Sequence, residues 1–299
     1  PLRESSAGSW TLCVLIFLGS TSTAVAVIPS FMGLGDLPGG GSDTIANGVS
    51  ADGSVVVGRS QSESGNEAFR WDSVNGMVGL GDLSGGIFNS AANGVSGDGS
   101  VIVGQSFSSA GTEAFRWSTG SGMMGLGGAQ SGSSTTVAYG ASFDGSVVVG
   151  ERTTPSGNLA FRWTAASGIV SLGDFSGGGT FSIALDVSND GAAVVGWGTT
   201  TAGGQAFRWN STQGLVGLGD LPGGGFGSGA FGVSADGSFV VGLGTSASGT
   251  EAFRRDSHSG MVGLGDLPGG SFYSYANGVS ADGSIVVGEA NSSNDYEAF

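Results

Sequence analysis

The chain has 299 residues, of which 62 are glycine and only 11% are charged. The 24 acidic residues outnumber the 9 basic ones, all of which are arginine, and the net charge is −15. A sequence without lysine cannot form a P-loop, and one His with one Cys excludes HExxH and paired CxxC zinc sites. The acidic balance also argues against a nucleic-acid interface. These exclusions leave a structural or binding protein as the prediction, and no cofactor is predicted.

The first residues of the chain are typical of a secretory signal. The apolar run from Trp10 to Leu18 is followed by small residues that end in Ala24-Val25-Ala26, an A-x-A cleavage pattern. The run is too short to cross a membrane as a helix, and an ordinary buried strand or helix is the alternative. We therefore predict a signal peptide over residues 1–26 and a repeat domain over residues 27–299, located outside the cell or on its surface. We expect no membrane span in the mature chain.

The rest of the chain is one unit repeated with a period of 46 residues, without insertion or deletion. The turn pair Asp-Gly begins at Asp52, Asp98, Asp144, Asp190, Asp236 and Asp282. The motif Leu-Gly-Asp ends at Asp36, Asp82, Asp174, Asp220 and Asp266, and Gly128 stands at the remaining position. The motif Ala-Phe-Arg-Trp is centred on Phe69, Phe115, Phe161, Phe207, Phe253 and Phe299.

Each unit predicts four short antiparallel strands and no helix. In the first unit the strands are residues 46–50, 55–58, 68–71 and 77–80. Asp52-Gly53 and Asn75-Gly76 are hairpin signals, because these residue types tolerate the positive φ angles of tight turns. A unit of 40–50 residues with four strands is the blade of a β-propeller. We therefore predict an all-β, monomeric propeller, with a β-solenoid as the alternative.

The sequence leaves open whether the blades close into a ring. The last unit ends at Ala298-Phe299, before its fourth strand. The segment Phe31–Leu37 has the sequence of a fourth strand and is a candidate to complete that blade. A longer array of blades is the alternative.

These motifs carry a resemblance to a known family. The strings GLGDLPGG, ANGVSADGSVVVG, EAFRW and GMVGLGDL resemble the HAF-repeat family of extracellular repeat proteins, over residues 31–299. The resemblance implies a secreted or surface-attached bacterial propeller. The chain departs from the pattern at Gly128, at Arg255 in place of Trp, and at Leu159 and Gln205 in place of Glu.

The repeated side chains predict a structural role first. The Phe of Ala-Phe-Arg-Trp is expected in the blade core, with the Trp on the same side. The repeated arginines need a carboxylate or carbonyl partner if they are partly buried. We expect that partner to be the Asp of Leu-Gly-Asp, in pairs formed by Arg70, Arg116, Arg162, Arg208 and Arg254 with Asp36, Asp82, Asp174, Asp220 and Asp266. A ring of arginines that binds an anion is the functional alternative.

Trp197 breaks the repeat and is the best single candidate for a ligand contact. The Asp-Gly residues are turn formers first, with calcium ligation as the alternative. Catalysis has little support, because the acids that are not repeated have no spacing signature and His258 lies in a polar turn. We therefore expect a non-enzymatic scaffold or adhesin-like module with an extracellular protein or glycan partner. A lectin that uses Trp197 or Tyr273 is the alternative, and a carbohydrate-active enzyme is less favoured.

Overall fold

The computed structural model describes residues 32–127 and 135–299. The predicted signal peptide and Gly128 lie outside these residues. The described residues contain no helix, so none is long and apolar enough to span a membrane.

The described chain consists of 23 strands. The first three blades are formed by β1 (Thr44–Val49), β2 (Val55–Ser62), β3 (Gly65–Asp72), β4 (Gly76–Gly79), β5 (Gly85–Val95), β6 (Val101–Ser108), β7 (Gly111–Ser118), β8 (Gly122–Gly125), β9 (Thr136–Ala141), β10 (Val147–Thr154), β11 (Gly157–Thr164) and β12 (Gly168–Gly173). The last three blades are formed by β13 (Ser182–Val187), β14 (Val194–Thr200), β15 (Gly203–Asn210), β16 (Gly214–Gly217), β17 (Gly229–Val233), β18 (Val240–Ser246), β19 (Gly249–Asp256), β20 (Gly260–Gly263), β21 (Gly269–Val279), β22 (Val286–Ser292) and β23 (Asp295–Ala298).

The strands of each blade pair in chain order. Five blades are antiparallel meanders of four strands, and the sixth consists of β21, β22 and β23. The first strand of each blade contacts the first strand of the next, so these strands lie innermost. The predicted β-propeller is confirmed, and the solenoid is not the architecture, because each unit folds back on itself through hairpins.

The blades pack face to face through the repeated apolar residues. The Phe of the third strand is fully buried in the first five blades, as predicted. Phe161 of the third blade, for example, shares one core cluster with Val101, Val103 and Ala114 of the second blade. Both faces of a blade are apolar because each inner blade is covered on both sides.

A hydroxyl group in or just before the first strand of the second to sixth blades binds each blade to the one before it. Ser182 Oγ accepts the N–H of Ala160 at 2.9 Å and donates to the carbonyl of Gly173 at 2.7 Å. The same Ala N–H is bound by Ser90, Thr136, Ser228 and Ser274 at the other interfaces. The side chain thus satisfies two buried backbone groups that no strand pairing satisfies.

The two end blades keep one face uncovered. Ala46 is exposed in the first blade, whereas its equivalents Ala92, Ala138, Ala184, Ala230 and Ala276 are fully buried. Val287 of the sixth blade is 51% exposed, although its equivalents at the earlier interfaces are fully buried. Leu37 donates its N–H to Ser60 Oγ of the first blade at 3.1 Å, the same bond that Leu83 makes to Ser106 in the second. The end of the candidate closing segment therefore lies on the first blade. The described blades form an open array, in which the first and the last blade each have one uncovered face.

The two hydrogen bonds of the Ser182 hydroxyl predict that Ser182→Ala lowers the stability of the protein. Removal of the Oγ leaves a buried N–H and a carbonyl without their partner, so we expect a loss of about 1–3 kcal/mol in the free energy of unfolding. Urea denaturation measures it, with Ser211→Ala at an exposed turn as the matched control. Equal midpoints for the two variants would contradict this role.

Candidate functional site

The propeller has two chemically different ends. The turn end carries the Asp-Gly turns, which are joined from blade to blade by backbone hydrogen bonds such as Phe143 N–H to the Asn189 carbonyl at 3.0 Å. The loop end carries the turns between second and third strands and the connections between blades.

The Asp-Gly residues at the turn end build the turns themselves. Asp52 Oδ1 accepts Ser50 Oγ at 2.7 Å, and the N–H and hydroxyl of Ser54 at 3.0 and 2.8 Å. These hydrogen bonds, led by the one from the Ser54 backbone, lower the pKa of Asp52 to about 2. Gly53 has a φ of 74°, which explains why glycine follows the Asp. The described residues contain no group of three or more His, Cys, Asp or Glu side chains that could hold a metal ion.

The repeated arginines also lie at the turn end, but their partner differs from the prediction. Arg254 Nε donates to the carbonyl of Gly283 in the turn of the next blade at 3.0 Å. Equivalent bonds join Arg116 to Gly145, Arg162 to Gly191 and Arg208 to Gly237. Arg70 instead pairs with Asp72 of its own strand. Among the described residues none of these arginines forms an ion pair with a Leu-Gly-Asp carboxylate, so the predicted pairing is corrected in favour of the carbonyl partner.

The Leu-Gly-Asp carboxylates lie at the loop end, at the opposite end of the blades from the arginines. Asp220 accepts the N–H groups of Gly227 at 2.6 Å and Thr245 at 2.8 Å. Asp36 accepts Thr44 Oγ1 at 2.6 Å, and Asp266 accepts the Tyr273 N–H at 2.9 Å. Burial raises the pKa of Asp82. Where these carboxylates form hydrogen bonds, they hold the segment that connects one blade to the first strand of the next. Asp174 lies in the equivalent connection.

The role of the repeated Glu before Ala-Phe-Arg-Trp was not predicted. Glu67 Oε1 accepts the N–H of Gly81 at 2.9 Å, and Glu113 and Glu251 bind Gly127 and Gly265 in the same way. The acceptor residue is 14 positions before the donor in each of these three units. That fixed spacing was the available sequence signal.

Trp197 belongs to a series of aromatic side chains along the loop end of the last three blades. Its ring lies 4.8 Å from that of Phe181, between ring centroids. Further along, Tyr275 makes edge contacts with Phe231 and Tyr273, and Tyr273 with Tyr296. We call this series the aromatic arc: Phe181, Trp197, Phe231, Tyr273, Tyr275 and Tyr296.

Trp197 and Phe231 line one groove between the fourth and fifth blades. The groove has a volume of 420 Å³ and includes Leu243 and Thr245. Its polar groups are already bonded: Thr245 Oγ1 donates to the Gly227 carbonyl at 2.8 Å, and Ser228 Oγ to the Gly219 carbonyl at 2.6 Å. The surface offered to a ligand is therefore mainly aromatic and aliphatic.

Two carboxylates at this end are held by tyrosines. Tyr139 donates to Glu151 Oε1 at 2.8 Å, while Asn158 Nδ2 donates to Glu151 Oε2 at 3.0 Å. Tyr275 donates to Glu289, and this bond raises the pKa of Tyr275 to about 12. Burial, followed by the bond to Glu151, raises the pKa of Tyr139. His258, by contrast, is exposed at the turn end.

Asp186 occupies a position on the innermost strand where the other units have glycine. Its carboxylate accepts the N–H of Val187 at 2.8 Å and that of Val233 in the next blade at 2.9 Å. Burial outweighs these bonds and raises the pKa of Asp186 to about 6.

Comparison with solved structures supports the fold. TolB from Acinetobacter baumannii matches with a TM-score of 0.50 and 12% identity, over 73% of this chain and 53% of that protein. A protein assigned as TolB from Agrobacterium tumefaciens matches with a TM-score of 0.53 and 18% identity, over 86% of this chain and 88% of that one. The chain thus spans about half the length of the Acinetobacter protein. No family model and no curated protein matches the sequence. At these identities the likeness establishes the β-propeller fold alone.

We call the hydrogen bond from a repeated arginine to the turn of the next blade the arginine clasp. It predicts that Arg254→Ala lowers the stability of the protein more than Arg59→Ala does. Arg254→Ala removes the bond to the next blade and the stacking of the guanidinium on Phe239, whose ring centroid is 4.0 Å away. We expect the two losses together to lower the free energy of unfolding by about 1–2 kcal/mol. Arg59 loses only a 3.8 Å pair with the exposed Asp43. Thermal and urea unfolding compare the two variants, and indistinguishable stabilities would argue against the clasp.

Asp186 predicts a pH dependence of stability. Its native pKa of about 6 lies above the usual aspartate value of 3.8, so the folded state binds more protons between these values. The contribution of this group therefore falls as pH rises from about 4 to about 6. We expect the stability of Asp186→Asn, relative to the original protein, to increase over this range. Denaturation at a series of pH values tests it, and parallel profiles for the two proteins would refute it.

Proposed function

We propose that the protein is a secreted or surface-attached bacterial module that binds a protein partner at its loop end and carries out no catalysis. The observation that carries this proposal is the aromatic arc. Large aromatic side chains in well-packed clusters are the usual anchors of protein interfaces. The resemblance to HAF-repeat proteins and the predicted signal peptide support the location.

Repeat symmetry separates the arc from the scaffold. Trp197 stands where the other units have Arg59, Gln105, Glu151, Leu243 and Glu289. A blade can therefore form with very different side chains at this position. Tyr275 also has no aromatic residue at the equivalent positions of the other units, whereas Phe231 is matched by Tyr139 in the third unit. The arc is thus not required by the blade fold, and a ligand contact explains its clustering.

The chemistry of the Trp197 groove favours a protein side chain over a sugar. A sugar needs several free hydrogen-bond partners around its stacking surface, because its hydroxyl groups must exchange bonds with water for bonds with protein. The hydroxyls in the groove are engaged internally, whereas Trp197, Phe231 and Leu243 offer apolar surface. An aromatic or aliphatic anchor of a partner fits this surface.

A random peptide library displayed on phage tests the proposal. We expect panning on the immobilised protein to enrich peptides with aromatic or aliphatic anchors. Trp197→Ala and Phe231→Ala should weaken binding of those peptides about tenfold or more, as loss of an interface anchor does.

The matched control is Phe143→Ala, since Phe143 is a 43% exposed aromatic residue at the turn end. It should leave peptide affinity unchanged. Enrichment of no peptide family, or equal losses for the loop-end and turn-end variants, would reject the loop end as the binding surface.

A further inference from the structure

A second groove lies at the turn end, between the second and third blades. It has a volume of 780 Å³, within the range of small-ligand sites. Arg116 and Met124 enter it from the second blade, while Asp144 and Trp163 enter it from the third. The groove is distinct from the aromatic arc, which lies at the loop end of later blades.

The groove brings together hydrogen-bond donors, an acceptor and an aromatic surface. Arg116 uses Nε for the Gly145 carbonyl at 3.2 Å, which orients the guanidinium and leaves its terminal nitrogens for a ligand. Asp144 is exposed, and its Oδ1 is held by Ser142 Oγ and the Ser146 N–H, both at 2.9 Å. Trp163 is half-buried against the core of this interface. The positions of all three side chains are therefore fixed before a ligand binds.

The groove recurs between the fourth and fifth blades, two units further along. Arg208, Ser238 and Arg255 line a 360 Å³ groove at positions equivalent to Arg116, Ser146 and Trp163. Arg255 replaces the aromatic residue, so this copy lacks the stacking surface. The chain thus contains a natural variant of the site.

We propose that the groove between the second and third blades binds neutral hexose units of a glycan. Vicinal hydroxyl groups of a hexose match the forked donors of Arg116 and the acceptor of Asp144, while the C–H face of the ring packs on Trp163. Asp144 and Asp190 balance Arg116 and Arg162 around the groove, and the chain has a net charge of −15. An anionic ligand is disfavoured by that field and a cationic one by the guanidinium groups of Arg116 and Arg162, which favours an uncharged polyol.

Fluorine NMR of the protein labelled with 5-fluorotryptophan tests the site directly. Methyl glycosides of glucose, galactose, mannose, fucose and N-acetylglucosamine are the probes, and Trp163→Phe assigns the Trp163 signal. We expect at least one glycoside to shift the Trp163 signal saturably while the Trp197 signal stays in place. Arg116→Lys keeps the charge but not the fork, and should weaken binding about tenfold, or about 1.4 kcal/mol.

The fourth-to-fifth groove supplies a gain-of-function control. Arg255→Trp restores the residue of the other units, and we expect its new fluorotryptophan signal to respond to the same glycoside. A folded protein whose Trp163 signal responds to none of the five glycosides, or responds together with Trp197, overturns the proposal. The loop-end proposal is unaffected by that result, because peptide binding is measured at Trp197.

Discussion

The structure depends on the packing of one apolar sheet against the next. A blade with apolar residues on both faces has no side that suits water, so it is stabilised by each neighbouring blade that covers one of those faces. The fully buried Phe of the third strand in each of the first five blades lies in these interfaces. This explains the strict period of 46 residues, since an insertion of one residue within a strand would turn its buried side chains toward the other face.

Polar contacts then set the position of one blade on the next at both ends. At the loop end a serine or threonine hydroxyl binds a backbone N–H 22 residues earlier, and at the turn end an arginine binds a carbonyl 29 residues later. Apolar packing alone tolerates sliding, because it has little directionality. The two polar contacts remove that freedom, and each also satisfies a backbone group between the sheets.

The sequence predicted the fold well because its strongest signals are local. Asp-Gly and Asn-Gly turns mark the hairpins, and the buried Phe follows from strand alternation. The predicted partner of the arginines was wrong because the prediction matched arginines to carboxylates by charge and did not consider at which end of the blade each side chain lies. Arg254 lies at the end of a third strand that leads into the turn end, whereas Asp266 follows the fourth strand and so lies at the loop end. Counting strands would have separated them.

The aromatic arc was less accessible from the sequence. Trp197 and Phe181 are 16 residues apart and show no helix or strand period that joins them. Alignment of the units in register, however, places Trp197, Tyr275 and Tyr296 near the same blade end. Trp197 was predicted because it breaks the repeat, and the same test would also have selected Tyr275 and Tyr296. It would not have selected Phe181 and Tyr273, because these two aromatic residues occupy the same position of the repeat.

The two ends suggest two different ways of obtaining affinity on one scaffold. The aromatic arc is present once, and its members Trp197, Tyr275 and Tyr296 have no aromatic equivalent in the other units, so its strength must come from the fit of a single surface. The turn-end groove is built from repeated residues, so the scaffold can present the same groove at more than one interface, as it does with a variant between the fourth and fifth blades. Arg255 shows the limit of that strategy, because one substitution removes the aromatic surface from one copy and leaves the blade, with its clasp from Arg208 to Gly237, intact.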